Sequence, residues 1–376
     1  MPTVRILDSL AQVPASDWDA LHDGRNPFLQ HVFLEGLERF GCLRADWGWT
    51  PRHLTLWDGD RLAAAAPGYL KANSHGEFVF DHAWASAYPR HGPDYYPKWL
   101  FAVPYSPVTG PRLLARYAAA RQALLAAIAR QFDDSGLSSA HVNFHAEDED
   151  DLFDADWLPR IDVQYHWHNR DGWSDFAGFL AAMDHKHRKN IRQERARVQR
   201  AGITFRRVHG DEASPADLDA IHRFYVQTFR DYGNAPALTR DFIGHIAREM
   251  PRNLLIVLAE NSGHPVAGAL CLRGRDTLYG RYWGSDASVP GLHFETCYYQ
   301  GIDYCLEHGL SRFEPGAQGE HKLARGFLPT LVRSRHRIAD PQFRQALRAW
   351  CAEEALAVQR HADTLARHGP FRLPGR

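Results

Sequence analysis

An internal repetition in the order of elements constrains this chain more than any single motif. Residues 53–84, HLTLWDGDRLAAAAPGYLKANSHGEFVFDHAW, and 254–285, LLIVLAENSGHPVAGALCLRGRDTLYGRYWGS, both read as strand, tight turn, strand, turn, strand. DGD and NSGHP supply the turn residues. Each half then runs through a loop into a helix and a short strand. The first half uses RLLARYAAARQALLAAIARQFDDSG and SSAHVNF, the second HFETCYYQGIDYCLEHG and SRFEPG. Gly136 and Gly309 stop the two helices, as glycine does just past a helix end. A repeated meander followed by strand–helix–strand predicts an α+β (mixed α/β) fold of two tandem domains. Each is a mostly antiparallel sheet flanked by helices. The division falls near residue 160, giving domains 1–160 and 161–376.

The segment joining the repeats is rich in cations. It predicts a basic helix over 184–201, stopped at Gly202, with Lys186, Arg188, Lys189, Arg192, Arg195, Arg197 and Arg200. Helical spacing sets Lys189, Arg192 and Arg200 on one stripe. A further helix begins at Ser214, an N-cap, with Pro215 in its first turn. Leu218, Ile221, Phe224, Tyr225 and Phe229 form its apolar face.

The formal net charge of the 376 residues is −1, so any phosphate-rich ligand must be held by a local patch. No run of eighteen apolar residues occurs, which argues against a membrane-spanning helix. The five cysteines are scattered and form no C-x-x-C pair, as expected of reduced thiols in the cytoplasm. His166/His168 and His185/His187 lack the spacing of a zinc site, so no metal is expected. The acidic run Glu147–Asp151 reads as a solvated loop.

One stretch concentrates polar chemistry. FEPGAQGEHKLARGF, residues 313–327, sets Glu314, Gln318, Glu320, His321, Lys322 and Arg325 among three glycines. Polar groups clustered between glycines, on a loop that follows a strand, point to a binding or catalytic loop.

DHKHRKNIRQERARVQRAG, YGRYWG, LHFETCYYQGIDYC and FEPGAQGEHKLARGF, with GEFVFDHAWASAY, YYPKWLFAVPYSPVTG and NPFLQHVFLEGLE, resemble the FemAB-like predicted N-acyltransferases. That family is also labelled peptidoglycan biosynthesis/recognition and belongs to the GNAT acyltransferase superfamily. The resemblance spans nearly the whole chain. It implies two GNAT-like domains and transfer of an acyl or aminoacyl group from an activated donor to an amine, such as a peptidoglycan-type precursor. The competing class is a non-catalytic module that binds a cell-wall precursor or nucleic acid in the same cleft. Acetyl-CoA users carry a turn of type Q/R-x-x-G-x-G/A before the central helix. Here VPYSPVTGPRLL and SDASVPGLHFE stand in its place, with Gly110 and Gly291 as their only glycines. Thr109 and Gly110 are the remnant of a donor-binding turn. The departures predict weak acetyl-CoA binding and no tightly held cofactor. Acyl-CoA or aminoacyl-tRNA then serves as co-substrate, with tRNA a partner.

N-acyl transfer needs a base for the amine proton and donors for the oxyanion. Glu320, His321 and Glu295 are the candidate catalytic groups. Arg281, Tyr282, His293, Lys322 and Arg325 are candidates for binding substrate, and Lys189 and Arg192 for binding phosphate. Strand alternation sets Tyr279, Arg281 and Trp283 on one face and Tyr282 on the other. A carboxylate, Glu295 or Glu314, is expected to partner Arg281. Read as a strand, GEFVFDHAW places Glu77 and Asp81 on one face, where the pair suits an acceptor amine.

Overall fold

Tight turns seed the sheets. Ser262 and Gly263, both at positive φ, close the hairpin after Asn261, and Gly59 at φ 62° closes its counterpart. The computed structural model describes residues 2–88, 94–317 and 319–372. Two units result, Met1–Val163 with Leu331–His361, and Gln164–Thr330 with Ala362–Arg376. The expected division at 160 leaves residues 331–361 in the second domain, whereas they pack with the first unit.

In the first unit, β1 (Thr3–Leu7), α1 (Ala15–Asp19) and α2 (His31–Arg39) precede β2 (Trp49–Pro51), β3 (His53–Asp58), β4 (Arg61–Ala66) and β5 (Gly68–Lys71). Then come α3 (His82–Ala87), β6 (Lys98–Phe101), β7 (Leu114–Ala115), α4 (Ala118–Asp133) and β8 (Ser139–Asn143). One sheet runs β1-β3-β4-β7. In the other, β2, β5 and β6 are antiparallel, β6 pairs in parallel with β8, and residues 334–338 return antiparallel to β8. Leu124 and Ile128 of α4 pack against Trp99, Phe101, Ala140 and Val142. Each such side chain stabilises by about 1.5–3 kcal/mol relative to exposure.

The second unit takes up β9 (Trp157–His168) at residue 164, then α5 (Phe176–Ala182), α6 (His185–Arg200), β10 (Ile203–His209), α7 (Pro215–Asp231) and α8 (Arg240–Glu249). Strands β11 (Leu254–Asn261), β12 (His264–Arg273) and β13 (Thr277–Ser285) follow. Helices α9 (Leu292–Phe294) and α10 (Gln300–Glu307) flank a π turn at Glu295–Tyr299, ahead of β14 (Arg312–Glu314). β15 (Leu328–Ile338) and α11 (Pro341–Arg367) complete the chain's elements. β10 to β13 form an antiparallel meander, β13 pairs in parallel with β14, and β14 is antiparallel to β9.

Two glycines set the depth of this packing. A Cβ on Gly284 would lie 2.1 Å from Phe224 O, so α7 rests directly on β13. One on Gly301 would lie 2.3 Å from the Phe313 ring, so α10 sits equally close to β14.

The repeat holds as topology, with its register shifted. β5, β6, α4 and β8 correspond in order and pairing to β12, β13, the 292–307 helix and β14. The partner of YGRYWG is therefore KWLF of β6. GEFVFDHAW is no strand: Gly76 and Phe78 take positive φ, and the chain turns into α3 at His82. The acidic run also differs from expectation. Residues Glu147–Leu152 form a 3-10 helix in which Glu149 is buried.

Candidate active site

β13 and β14 are paired only over 277–279 and 312–314. Beyond this, β13 continues to Ser285 while β14 gives way to Pro315 and Gly316. The two parallel strands thus part at their carboxyl ends, where ligands bind in open α/β sheets. A cavity of about 230 Å³ opens there, lined by residues 280–283, Pro315, His293, Cys297, Tyr298, Thr228 and Phe229, with Ala269 and Cys271 from β12.

Two irregularities aim side chains into it. Leu270 pairs with Tyr282 but Cys271 with Gly280, so Arg281 is an extra residue in a β-bulge. Strict alternation fails at this point, and Arg281, Tyr282 and Trp283 all line the cavity. On the opposite wall the π turn widens the helix, presenting Cys297 and Tyr298 to the cavity.

Arg281, which lines the cavity, has a second cation beside it in Lys322. Lys322 is 3% exposed and donates to Gly316 O at 2.7 Å. Burial, then the nearby Arg281 charge, lowers its pKa from 10.5 to about 7. Arg281 is half-buried, its Nε donating to Gly280 O at 2.8 Å. Burial, with His321, Lys322 and Arg325, takes His293 down to about 4, leaving a neutral ring. His321 stands exposed at the rim, with Nε2 2.9 Å from the Tyr298 hydroxyl and its ring 6.0 Å from that of His293. Its pKa is lowered by partial burial, Arg325 and Lys322. Arg281, Tyr282, His293, His321 and Lys322 are thus brought together. Tyr298, unmarked among its neighbours in HFETCYY, joins them through the π turn.

The remaining expected residues of this unit lie apart. Glu320 is exposed on the 3-10 helix Glu320–Arg325, and Gln318 lies outside the described residues. Glu295 is buried but turned to α6: it accepts from Arg195 Nε at 3.1 Å and Gln300 Nε2 at 2.9 Å. It is therefore Glu314 whose charge acts on Arg281. Arg325 donates to Glu194 of α6 at 2.6 Å and lies 3.3 Å from the centroid of the Phe294 ring. Tyr299 also donates to Glu194, so these contacts lock the loop to α6. The outer face of α6 carries exposed Lys189, Arg192 and Arg200, which with His185 and Arg188 line a shallow groove of about 300 Å³. Its inner face is fixed by Ile191, Arg195 and Val198.

In the first unit, Glu77 and Asp81 do converge, on an amine of the chain itself. Lys98 of β6, fully buried, lies 2.9 Å from Glu77 Oε1 and pairs with Asp81. Burial opposes its charge, but the two carboxylates outweigh it and raise its pKa. Burial pushes Glu77 to about 7 against the pull of Lys98. Burial would raise Asp81 as well, but Lys98 and His141 hold it well below the usual range. Tyr95 donates to Asp81 at 2.7 Å. The turn at Thr109 and Gly110 is likewise filled from within. Gly110 N donates to Phe144 O at 3.1 Å, and Thr109 O accepts from Asn26 at 3.3 Å. Glu149 accepts from the amides of Arg112 and Leu113 at 3.0 and 2.8 Å, so a carboxylate of the chain itself satisfies these donors.

Comparison with known proteins agrees with this architecture. The FemAB-like family model, described as peptidoglycan biosynthesis/recognition, matches residues 9–373. Curated proteins give no match. Among solved structures, the C-terminal domain of a protein described as a lysylphosphatidylglycerol synthetase from Agrobacterium fabrum is similar, at 12% identity and TM-score 0.54, over 89% of this chain and 93% of that one. L-PGS from Bacillus licheniformis is 10% identical, with TM-score 0.52, over 84% and 90%. FemX is 10% identical, with TM-score 0.50, over 92% and 100%. At these identities the structures share a fold. The family match is what settles membership: the chain is a transferase of the FemAB-like family, built from two mixed α+β units.

Proposed function

We propose that the second unit transfers an aminoacyl or acyl group to an amine in the cavity between β13 and β14. The observation that carries this reading is the opening of two parallel strands onto Arg281, with the buried Lys322 beside it. Cations preset in a dry site stabilise the oxyanion of a tetrahedral intermediate. The acyl carbonyl faces Lys322 and Arg281, and a neutral amine attacks it. The new C–N bond forms as the ester or thioester bond breaks. The proton lost by nitrogen passes through the Tyr298 hydroxyl and His321 and ends on the leaving oxygen or sulfur. Glu320, exposed beside His321, is the alternative acceptor of that proton.

The filled turn at Thr109 and Gly110 favours the second unit as the donor's seat. The cationic face of α6, with Lys189 and Arg192, suits the phosphates of an aminoacyl-tRNA. A peptidoglycan-type precursor is the acceptor class in keeping with the family. Both donor classes are cytoplasmic metabolites, and the reaction is placed there. The test is single-turnover transfer from a panel of aminoacyl-tRNAs and acyl-CoAs to an amine pool, read by mass spectrometry. Transfer by the wild type that falls about 10²–10³-fold in Lys322→Met is expected. A Lys322→Met protein transferring at the wild-type rate would remove the site from the chemistry.

A further inference from the structure

Helix α7 borders a second depression. His222, Arg223, Val226, Gln227 and Arg230, with residues 236 and 238–240, enclose a groove of about 480 Å³, roughly twice the volume of the reaction cavity. Its lining has no carboxylate, and it gathers three guanidiniums from two stretches of chain. Two of them are braced from outside the lining: Arg240 Nε lies 2.6 Å from Asp219, and Arg223 lies 3.3 Å from Asp286. Arg230 is exposed and has no ion pair among the described residues. The floor is apolar, from Val226, Pro236 and Leu238.

The groove is fixed to the reaction cavity. Leu238 N donates to the Tyr225 hydroxyl at 3.0 Å, while the Tyr225 ring meets Tyr282 edge-on at 4.7 Å. Thr239 caps α8 by accepting from Phe242 N at 3.1 Å, which holds the connector. Phe229 lines the cavity and its neighbour Arg230 lines the groove, so the two sites occupy adjoining flanks of one helix. A ligand crossing that helix end spans about 10 Å.

We infer that this groove is the anion subsite of the amine acceptor, holding a phosphate-bearing handle while the amine reaches the cavity between β13 and β14. Guanidiniums match phosphate by paired N–H donors, and an apolar floor suits the carbon framework that bears it. The anion site stands on its own geometry, whereas the word acceptor rests on the transferase reading above.

Isothermal titration calorimetry with inorganic pyrophosphate, on the full chain without donor, tests the site. The wild type should bind one equivalent, Arg230→Gln should weaken binding about fivefold, and Arg230→Gln/Arg240→Gln more than about tenfold. Arg130→Gln, an exposed cation of α4, should bind as the wild type does. If Arg240→Gln impairs folding by freeing Asp219, the exposed Arg230→Gln variant still decides. No pyrophosphate binding by the wild type overturns the inference, as does binding that the groove variants keep at wild-type strength. Because the titration needs no turnover, failure of transfer and failure of this site are separate results. Where transfer is observed, pyrophosphate should raise the acceptor KM and leave kcat unchanged. A raised donor KM instead would assign the groove to the donor and overturn the inference.

Discussion

Lys98 in the first unit and Lys322 in the second are both removed from water, and their surroundings have opposite sign. Lys98 lies between Glu77 and Asp81, with Tyr95 completing the hydrogen bonds of the latter. Lys322 lies beside Arg281 and holds only a backbone carbonyl, Gly316 O, among its described hydrogen bonds. The same contrast runs through the turns. In the first unit Glu149 satisfies the amides of Arg112 and Leu113, whereas the second opens a cationic cavity where its strands part. A group whose charge is answered from within contributes to folding. One whose charge is raised against its neighbours is available to a ligand.

Replacing Lys98 is expected to have the largest effect. Lys98→Met leaves two buried carboxylates without their cation, and breaking a buried pair this way costs about 3–5 kcal/mol. Urea unfolding should show that loss. A stability within about 0.5 kcal/mol of wild type would remove the contrast, because Lys98 would then be no more structural than Lys322.

Lys322→Met should act in the other direction on stability. Its pKa falls from 10.5 to about 7 on folding, so between those values the unfolded chain binds the proton that the folded chain has lost. Wild-type stability therefore rises as pH goes from 7 toward 10.5, with the full penalty present below 7. The variant should lose that slope and be more stable than wild type at pH 6, by about 0.5–2 kcal/mol, while single-turnover transfer falls about 10²–10³-fold. Equilibrium melts at pH 6 and 9 separate the cases. A destabilised variant would put Lys322 in the structural class with Lys98.

The repeat, the caps at Ser214 and Pro215, and the helix stops at Gly136, Gly202 and Gly309 were legible in the sequence because each is a local signal. What escaped is non-local or irregular. Nothing near Glu77 or Asp81 announces Lys98, 21 and 17 residues further along in sequence. The bulge at Arg281 and the π turn at 295–299 each break the period from which facing is read, so Tyr282 changed faces and Tyr298 went unmarked. The polarity of 313–327 drew attention to Lys322 and His321. It could not separate them from Arg325, whose partner Glu194 lies 131 residues earlier on α6.

The rim offers a finer test within the second unit. His321 meets Tyr298 at 2.9 Å, while its neighbour Glu320 is exposed. His321→Ala should lower single-turnover transfer by about 10²-fold, and Glu320→Gln should stay within about twofold. Burial and the adjoining cations lower the His321 pKa, so the ring is neutral and able to accept a proton at pH 7. The His321-dependent rate should hold to lower pH than an ordinary histidine allows. Equal losses in both variants would assign the proton to the loop's general polarity instead of to the Tyr298–His321 pair.

The smallest effect expected is on the outer face of α6, whose inner face is already committed. Arg195 is bound to Glu295 and Asp303, and Ile191 and Val198 are buried. The exposed side chains of Lys189 and Arg192 contribute little to folding, since even a paired surface cation is worth about 0–1 kcal/mol. Their alanine double variant should therefore melt with the wild type. Any role they have must appear as affinity for a phosphate chain, through release of the counterions that chain carries. Each lost contact to a single strand lowers the slope of log K against log salt by about 0.7, so two should lower it by about 1.4. Filter binding of aminoacyl-tRNA across a salt series reads that slope directly. An unchanged slope with weakened binding would mean that the two residues shape the helix without touching phosphate. A fall in slope with no change in single-turnover rate at saturation is the result that assigns α6 to capture and leaves the chemistry to the cavity.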